Sequence, residues 1–383
     1  MIPYGKQEIS QADVDSVVRV LKSDFITQGP QVPLFEQKVA NYCGANFGVS
    51  TNSATSALHI ACLSLDLGKG DWLWTSPNSF VASANCALYC GAKVDFVDID
   101  SKTYNLSVEA LEKKLIQAEI ENRLPKVLVP VHFAGQSCDM KRIHFLGRKY
   151  GFRIIEDASH AIGGKYLDKL IGGCQYSDIT IFSFHPVKIV TTAEGGLAVT
   201  NNSVLAERMQ LLRSHGVTRD SNLMTKPPEG DWYYQQVDLG FNYRMTDLQA
   251  ALGVSQMEKV DAFIAKRHTL SYRYDNLLSD KVIKPYQSLD CYSSLHLYPI
   301  QVGIDLDRKN IFNKLRSDGI GVNVHYIPIY THPYYNKFGF KEEEFPNTKA
   351  YYSQAISLPI FAGLDFKMQD QIIHAVNRAL SIT

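Results

Sequence analysis

Three short stretches hold residue types that could work together chemically. The first is Ser183-Phe184-His185-Pro186-Val187-Lys188, closing an apolar run from Asp178, with Thr191-Thr192-Ala193-Glu194-Gly195-Gly196 just downstream. A lysine beyond a strand end, followed by glycines that let backbones approach closely, can form a Schiff base with an aldehyde cofactor. The second is Arg153-Ile154-Ile155-Glu156-Asp157-Ala158-Ser159-His160. Asp157 could pair with a protonated pyridine nitrogen, and His160 could hydrogen-bond near such a ring. The third is Thr51-Asn52-Ser53-Ala54-Thr55-Ser56-Ala57, which links an apolar strand to a helix. Helix N-termini offer unpaired N–H groups and a positive dipole end, which suit a phosphate.

Each stretch also has an ordinary reading. Lys188 could be a solvated surface lysine, Asp157 a helix cap, His160 a structural histidine, and the hydroxyl cluster a plain helix start. In conjunction they match one cofactor. A phosphate cradle, a ring-nitrogen carboxylate and a Schiff-base lysine, in that order on one sheet, are what pyridoxal 5'-phosphate requires.

The elements that must position these groups alternate along the chain. Phe47–Thr51, Trp72–Ser76, Lys93–Ile99, Lys126–Phe133, Arg153–Glu156, Asp178–Phe184 and Gly196–Thr200 read as strands. Ser53–Leu65, Ser79–Cys90, Ser107–Ala118 and Met140–Lys149 read as the helices between them. Continuous apolar strands alternating with helices predict an α/β fold with a mainly parallel sheet covered on both faces. Ligands bind at the carboxyl ends of such strands. After about Met245 the character changes: a long helical run over Gln249–Tyr274, Tyr- and Pro-rich pieces, then a final helix near Met368–Leu380. The expected organisation is a large domain over residues 1–245 and a smaller α+β domain over 246–383.

Composition excludes several classes. The 383 residues are 45% hydrophobic and 20% charged, and 39 basic side chains balance 39 acidic ones. That balance favours neither a nucleic-acid nor a membrane partner. No run of 18 apolar residues occurs, and Met1–Val20 lacks the apolar core of a signal peptide. Seven cysteines with no CxxC pair argue against a disulfide framework and against a zinc site, so reduced thiols, a cytoplasmic location and no metal are expected. Neither GxxxxGK[ST] nor a strand-linked GxGxxG is present, which removes Walker and dinucleotide sites.

The chain resembles the DegT/DnrJ/EryC1/StrS family of sugar-nucleotide aminotransferases, a branch of the fold-type-I pyridoxal-phosphate enzymes. The likeness runs from Ile26-Thr27-Gln28-Gly29-Pro30 through Asn52–Leu58, Glu156-Asp157-Ala158 and Ser183-Phe184-His185 with Lys188. It continues in Arg213–Gly216, Gly240–Met245 and Val324-His325-Tyr326. The resemblance implies a seven-stranded, mainly parallel (mixed) sheet sandwiched by helices, with a smaller C-terminal domain. It makes Lys188 the cofactor lysine, Asp157 the partner of the ring nitrogen, and Phe80 the aromatic stacked on the ring. Backbone groups of Ala54 and Thr55 with the Ser183 hydroxyl would hold the phosphate. Asn242 would reach the phosphate in the neighbouring subunit, which implies a homodimer with shared sites. Within the family, Leu21–Gly29, Ser159-His160-Ala161, His296–Ile300 and Val324–Tyr330 look most like enzymes aminating C4 of a UDP-linked 4-keto-6-deoxy-N-acetylhexosamine in pseudaminic acid biosynthesis. By that likeness L-glutamate is the amino donor, and Tyr4, Thr27, Gln28, Gly29, His325 and Tyr326 contact the sugar nucleotide. Ala193 stands where glycine is common among relatives.

Overall fold

The computed structural model describes residues 1–382. Seven strands form the central sheet, in the order Phe47–Thr51, Gly196–Thr200, Ile179–Ser183, Arg153–Asp157, Val127–Val129, Trp72–Thr75, Lys93–Phe96. Only Gly196–Thr200 runs antiparallel to its neighbours; the pairs from Ile179–Ser183 outward to Lys93–Phe96 are all parallel. Leu73, Val127, Ile155, Ile179, Ile181 and Ala198 are fully buried, because helices cover both faces of the sheet. The mainly parallel sheet expected from the strand pattern, with the seven strands and mixed order that the family resemblance implies, is therefore present.

Strand ends differ from the sequence expectation by a few residues, as at Val127–Val129 against Lys126–Phe133. The larger correction concerns Gln249–Tyr274, which is two helices, Asp247–Met257 and Val260–Leu277. The joint has a polar cause. Buried Asp13 accepts hydrogen bonds from Ser255 Oγ at 2.6 Å and Gln256 Nε2 at 2.8 Å and pairs with Lys259. This clamp from the helix Gln11–Leu21 turns the chain between the two helices. Helical periodicity continues through the joint, so the pattern alone does not reveal it.

Packing changes core within the helix Val260–Leu277. Val260, Phe263 and Ile264 pack with Val32, Phe35 and Phe184, whereas Leu270 and Tyr274 pack with Tyr298, Ile300, Ile356 and Ile372. That second core lies against a three-stranded sheet ordered Val282–Ile283, Tyr298–Val302, Ala355–Leu358. The N-terminus joins this part of the molecule. Ile2 pairs with Ile320, and Tyr4 accepts a hydrogen bond from Ile360 N at 3.1 Å.

Candidate active site

The register of the central sheet decides what meets at its carboxyl edge. Gly196 lies between Thr51 and Ser183, with one of them on each flanking strand. A Cβ at Gly196 would fall 2.4 Å from the backbone of Ser53 and Ala54, so only glycine lets the helix Ala54–Ser64 start here. Ser53 caps that helix, accepting from Ser56 N at 3.2 Å. The first helical amides, Ala54 and Thr55, thereby face a cavity of about 820 Å³ that also holds Ser183 and Lys188.

Lys188 is placed by a tight loop beyond Ser183. Its own amide bonds to His185 O at 2.9 Å, and both Thr192 N and Thr191 Oγ1 return to Phe184 O. Ile189 and Val190 are buried and anchor the loop to the core. Ala193 carries a φ of 66°, the left-handed region that favours glycine. Burial lowers the Lys188 amine to about 8, against an opposing pull from the Asp157 carboxylate.

Asp157 ends its strand and is buried. Ser83 Oγ and Ser159 Oγ each donate to it at 2.6 Å, and Ser159 N donates at 3.1 Å. Hydroxyl donors thus reach both carboxylate oxygens. Behind it, Cys138 N donates to His132 Nδ1 at 3.2 Å, so the His132 Nε2 proton goes to Glu156 at 2.7 Å.

Three histidines converge beside Lys188. His160 Nε2 meets the Tyr326 hydroxyl at 3.0 Å, its ring lies 4.4 Å from that of His296, and its Nδ1 has no partner. Burial first, then Lys188 and His325, hold His160 well below the ordinary imidazole value. Burial and then Lys188 bring His325 to about 3. These imidazoles are neutral at any working pH. Tyr326 N bonds to Asn78 Oδ1 at 3.1 Å, and Tyr4 lies 5.2 Å from His325, ring to ring. Phe80 lines the cavity with 61% of its surface open, which leaves a ring face free to stack.

One chain thus brings together Tyr4, Ala54, Thr55, Phe80, Asp157, His160, Ser183, Lys188, His325 and Tyr326. It does not bring Thr27, Gln28, Gly29 or Asn242 to the cavity. Asn242 is exposed on a bridge to Ser214. The Thr27–Gly29 loop is bridged to Thr246 and clamped by Asp247, which accepts from Gly29 N at 2.6 Å and Gln31 N at 2.7 Å. Ser83, Ser159, His185, Glu194 and His332 line the cavity without having been singled out. His185 and Glu194 stood inside the lysine motif; nothing local marked Ser83 or His332.

The donor set fits pyridoxal phosphate. An amine brought to about 8, a buried carboxylate, a helix N-terminus beside a serine hydroxyl and an open aromatic face complement its aldehyde, ring nitrogen, phosphate and ring. Among the described residues, no cluster of three or more His, Cys, Asp or Glu could hold a metal, and no helix is long and apolar enough to cross a membrane.

The model of the DegT/DnrJ/EryC1/StrS aminotransferase family matches residues 7–377. The chain is 37% identical over 375 residues to a UDP-4-amino-4,6-dideoxy-N-acetyl-beta-L-altrosamine transaminase of Campylobacter jejuni, covering 96% of this chain and 94% of that one. Among solved structures it is similar to Helicobacter pylori PseC, an aminotransferase involved in the biosynthesis of pseudoaminic acid. The TM-score is 0.92 and the identity 32%, with all of both chains covered. It is also similar to Spr1654 from Streptococcus pneumoniae in its PLP form, at TM-score 0.90 and 29% identity, covering 100% and 99% of the two chains.

Proposed function

Because the chain belongs to the DegT/DnrJ/EryC1/StrS aminotransferase family, we propose that it moves an amino group from L-glutamate to C4 of a UDP-linked 4-keto-6-deoxy-N-acetylhexosamine, as in pseudaminic acid biosynthesis. It is a sugar aminotransferase, and its cofactor is pyridoxal phosphate. The observation that carries the finer reading is the wall beside Lys188. It is built from neutral, hydrogen-bonding His160, His325 and Tyr326, which suit an uncharged, hydroxyl-rich sugar.

When bound, the cofactor supplies an electron-accepting ring that makes the donor's α-proton acidic. Asp157 holds a proton at the ring nitrogen. Lys188 Nζ would anchor the cofactor and, as a free amine, would take the donor's α-proton as general base and give it back as general acid. An amine near 8 suits both roles, since each needs the neutral form part of the time. Phe80 orients the ring, while the amides of Ala54 and Thr55 and the Ser183 hydroxyl hold the phosphate. Tyr4, His325 and Tyr326 seat the sugar.

The same reading assigns Asn242 and the Thr27–Gly29 loop to the partner subunit's cavity in a homodimer. Their exposure away from their own chain's cavity supports this. Mixing Lys188→Ala chains with Asn242→Ala chains would then restore activity at one site per heterodimer; sites acting within one chain would gain nothing. Seven unpaired cysteines accord with a cytoplasmic location.

The test is a half-reaction followed by absorbance. L-Glutamate converts the holoenzyme to its pyridoxamine form, the donor is removed, and keto sugars are added singly. Return of the starting spectrum with the UDP-N-acetyl 4-keto sugar supports the proposal. Return only with a dTDP-linked or 3-keto sugar replaces the substrate. A spectrum unmoved by every keto sugar overturns the proposed acceptor.

A further inference from the structure

The strand Ala355–Leu358 alternates in what it faces. Ile356 and Leu358 enter the second core, while Ala355 packs with Tyr104, Phe133 and Tyr351 on the cavity side. Ser357 shares that side. It is fully buried, its backbone pairs with Asn323, and its hydroxyl lies 2.8 Å from His325 Nδ1. No other group among the described residues bonds to that hydroxyl.

The partnership has only two proton arrangements. In one, Ser357 O–H donates to Nδ1, and the His325 proton sits on Nε2. In the other, Nδ1–H donates to Ser357 Oγ, and the serine proton is left unpaired where no water reaches it, an unfavourable outcome. The first arrangement leaves no proton unpaired between the two residues and turns Nε2–H toward the cavity. Nδ1 is then committed to Ser357, so only the Nε2 side of the ring remains for whatever fills the cavity that His325 lines.

We propose that Ser357 is a positioning residue that fixes His325 as its Nε2–H tautomer, making His325 a hydrogen-bond donor, not a base, toward a carbonyl or ether oxygen of the acceptor. This rests on the proposed function only for the identity of that acceptor. Burial and Lys188 keep the imidazole neutral, so the donor character does not depend on pH over the working range. The acetamido carbonyl and the ring oxygen of an N-acetylhexosamine belong to the acceptor class that such a donor recognises. Proton removal at the reacting carbon stays with Lys188.

Nitrogen NMR on holoenzyme carrying ¹⁵N-histidine reads the tautomer directly, with the His325 signals assigned by their loss in His325→Gln. The expected result is a protonated Nε2 and an unprotonated Nδ1. Ser357→Ala should shift that pair toward the other tautomer and raise KM for the keto sugar about tenfold, the value of one hydrogen bond. The glutamate half-reaction should stay unchanged. Ser357→Thr keeps the hydroxyl and should restore both readouts. A protonated Nδ1 in the unaltered enzyme overturns the proposal, as does a Ser357→Ala variant with unchanged spectrum and KM. The NMR result needs no substrate and no variant of Ser357. An enzyme that rejects the UDP-sugar yet shows Nε2–H would therefore refute the substrate alone.

Discussion

The Lys188 amine, brought to about 8, predicts a reactivity profile that ordinary lysines lack. At pH 7 a group titrating near 8 is about one-eleventh neutral, whereas an ordinary lysine near 10.4 is neutral in roughly one molecule in 2,500, a difference of about 230-fold. The perturbation is pH itself, applied to cofactor-free protein. The assay is brief labelling with trinitrobenzenesulfonate from pH 6 to 10, with the rate at Lys188 read by peptide mass spectrometry. Lys188 should show a labelling midpoint near 8, well below the value of an ordinary lysine. Asp157→Asn removes the carboxylate that opposes the shift, so its midpoint should fall below 8. The same shift contributes to stability with a definite sign. Between about 8 and 10.4 the unfolded chain still holds this proton and the folded chain has lost it, so this group's contribution rises with pH across that window. A Lys188 midpoint at 10 or above, or an upward move in Asp157→Asn, would refute the reasoning.

Lys188→Arg should abolish turnover, because a guanidinium stays protonated and forms no Schiff base; normal kinetics from it would remove the lysine from the mechanism. Asp157→Ala should keep measurable cofactor affinity by equilibrium dialysis yet transaminate about 10²–10³-fold more slowly, the size of losing a preorganised charge. Gly196→Ala places a methyl group 2.4 Å from Ala54 N and should weaken cofactor binding, with about 1–3 kcal/mol of destabilisation in urea titration. His132→Ala removes one donor from buried Glu156, which keeps the hydroxyls of Ser177 and Thr180, and should cost about 1.5–3 kcal/mol in the same titration, with the fold otherwise retained.

Much of the site was legible because its chemistry is local in sequence. Asp157 and Lys188 sit at the ends of apolar strands, Ala54 and Thr55 open a helix after another, and each strand end is marked by its own residues. The alternation of apolar strands with helices likewise announces a covered, mainly parallel sheet, since burial on both faces leaves no polar alternation along the strand. The helix joint at Glu258–Lys259 was not legible. Its cause, the carboxylate of Asp13, lies far away in the chain, while the helical pattern runs on through the joint. Ser83 illustrates the same limit at the site itself. A serine inside a helix carries no sign that its hydroxyl will meet a carboxylate 74 residues further along the chain.

The sequence by itself determined the fold class, the order of the chemical groups and the cofactor they suit, because these follow from short-range pattern and residue type. Only the tertiary structure decided how those groups act on one another. Register set Gly196 between Thr51 and Ser183 and let the helix beginning at Ala54 approach the sheet. Burial, which no single residue specifies, brought Lys188 to about 8 and kept His160 and His325 neutral. Packing of the second core against the sheet placed Ser357 behind His325 and Tyr326 against His160, contacts between segments whose sequences carry no mark of each other. The placement of Asn242 and Thr27–Gly29 outside the cavity was decided at the same level, since distance from a site is a property of the folded chain.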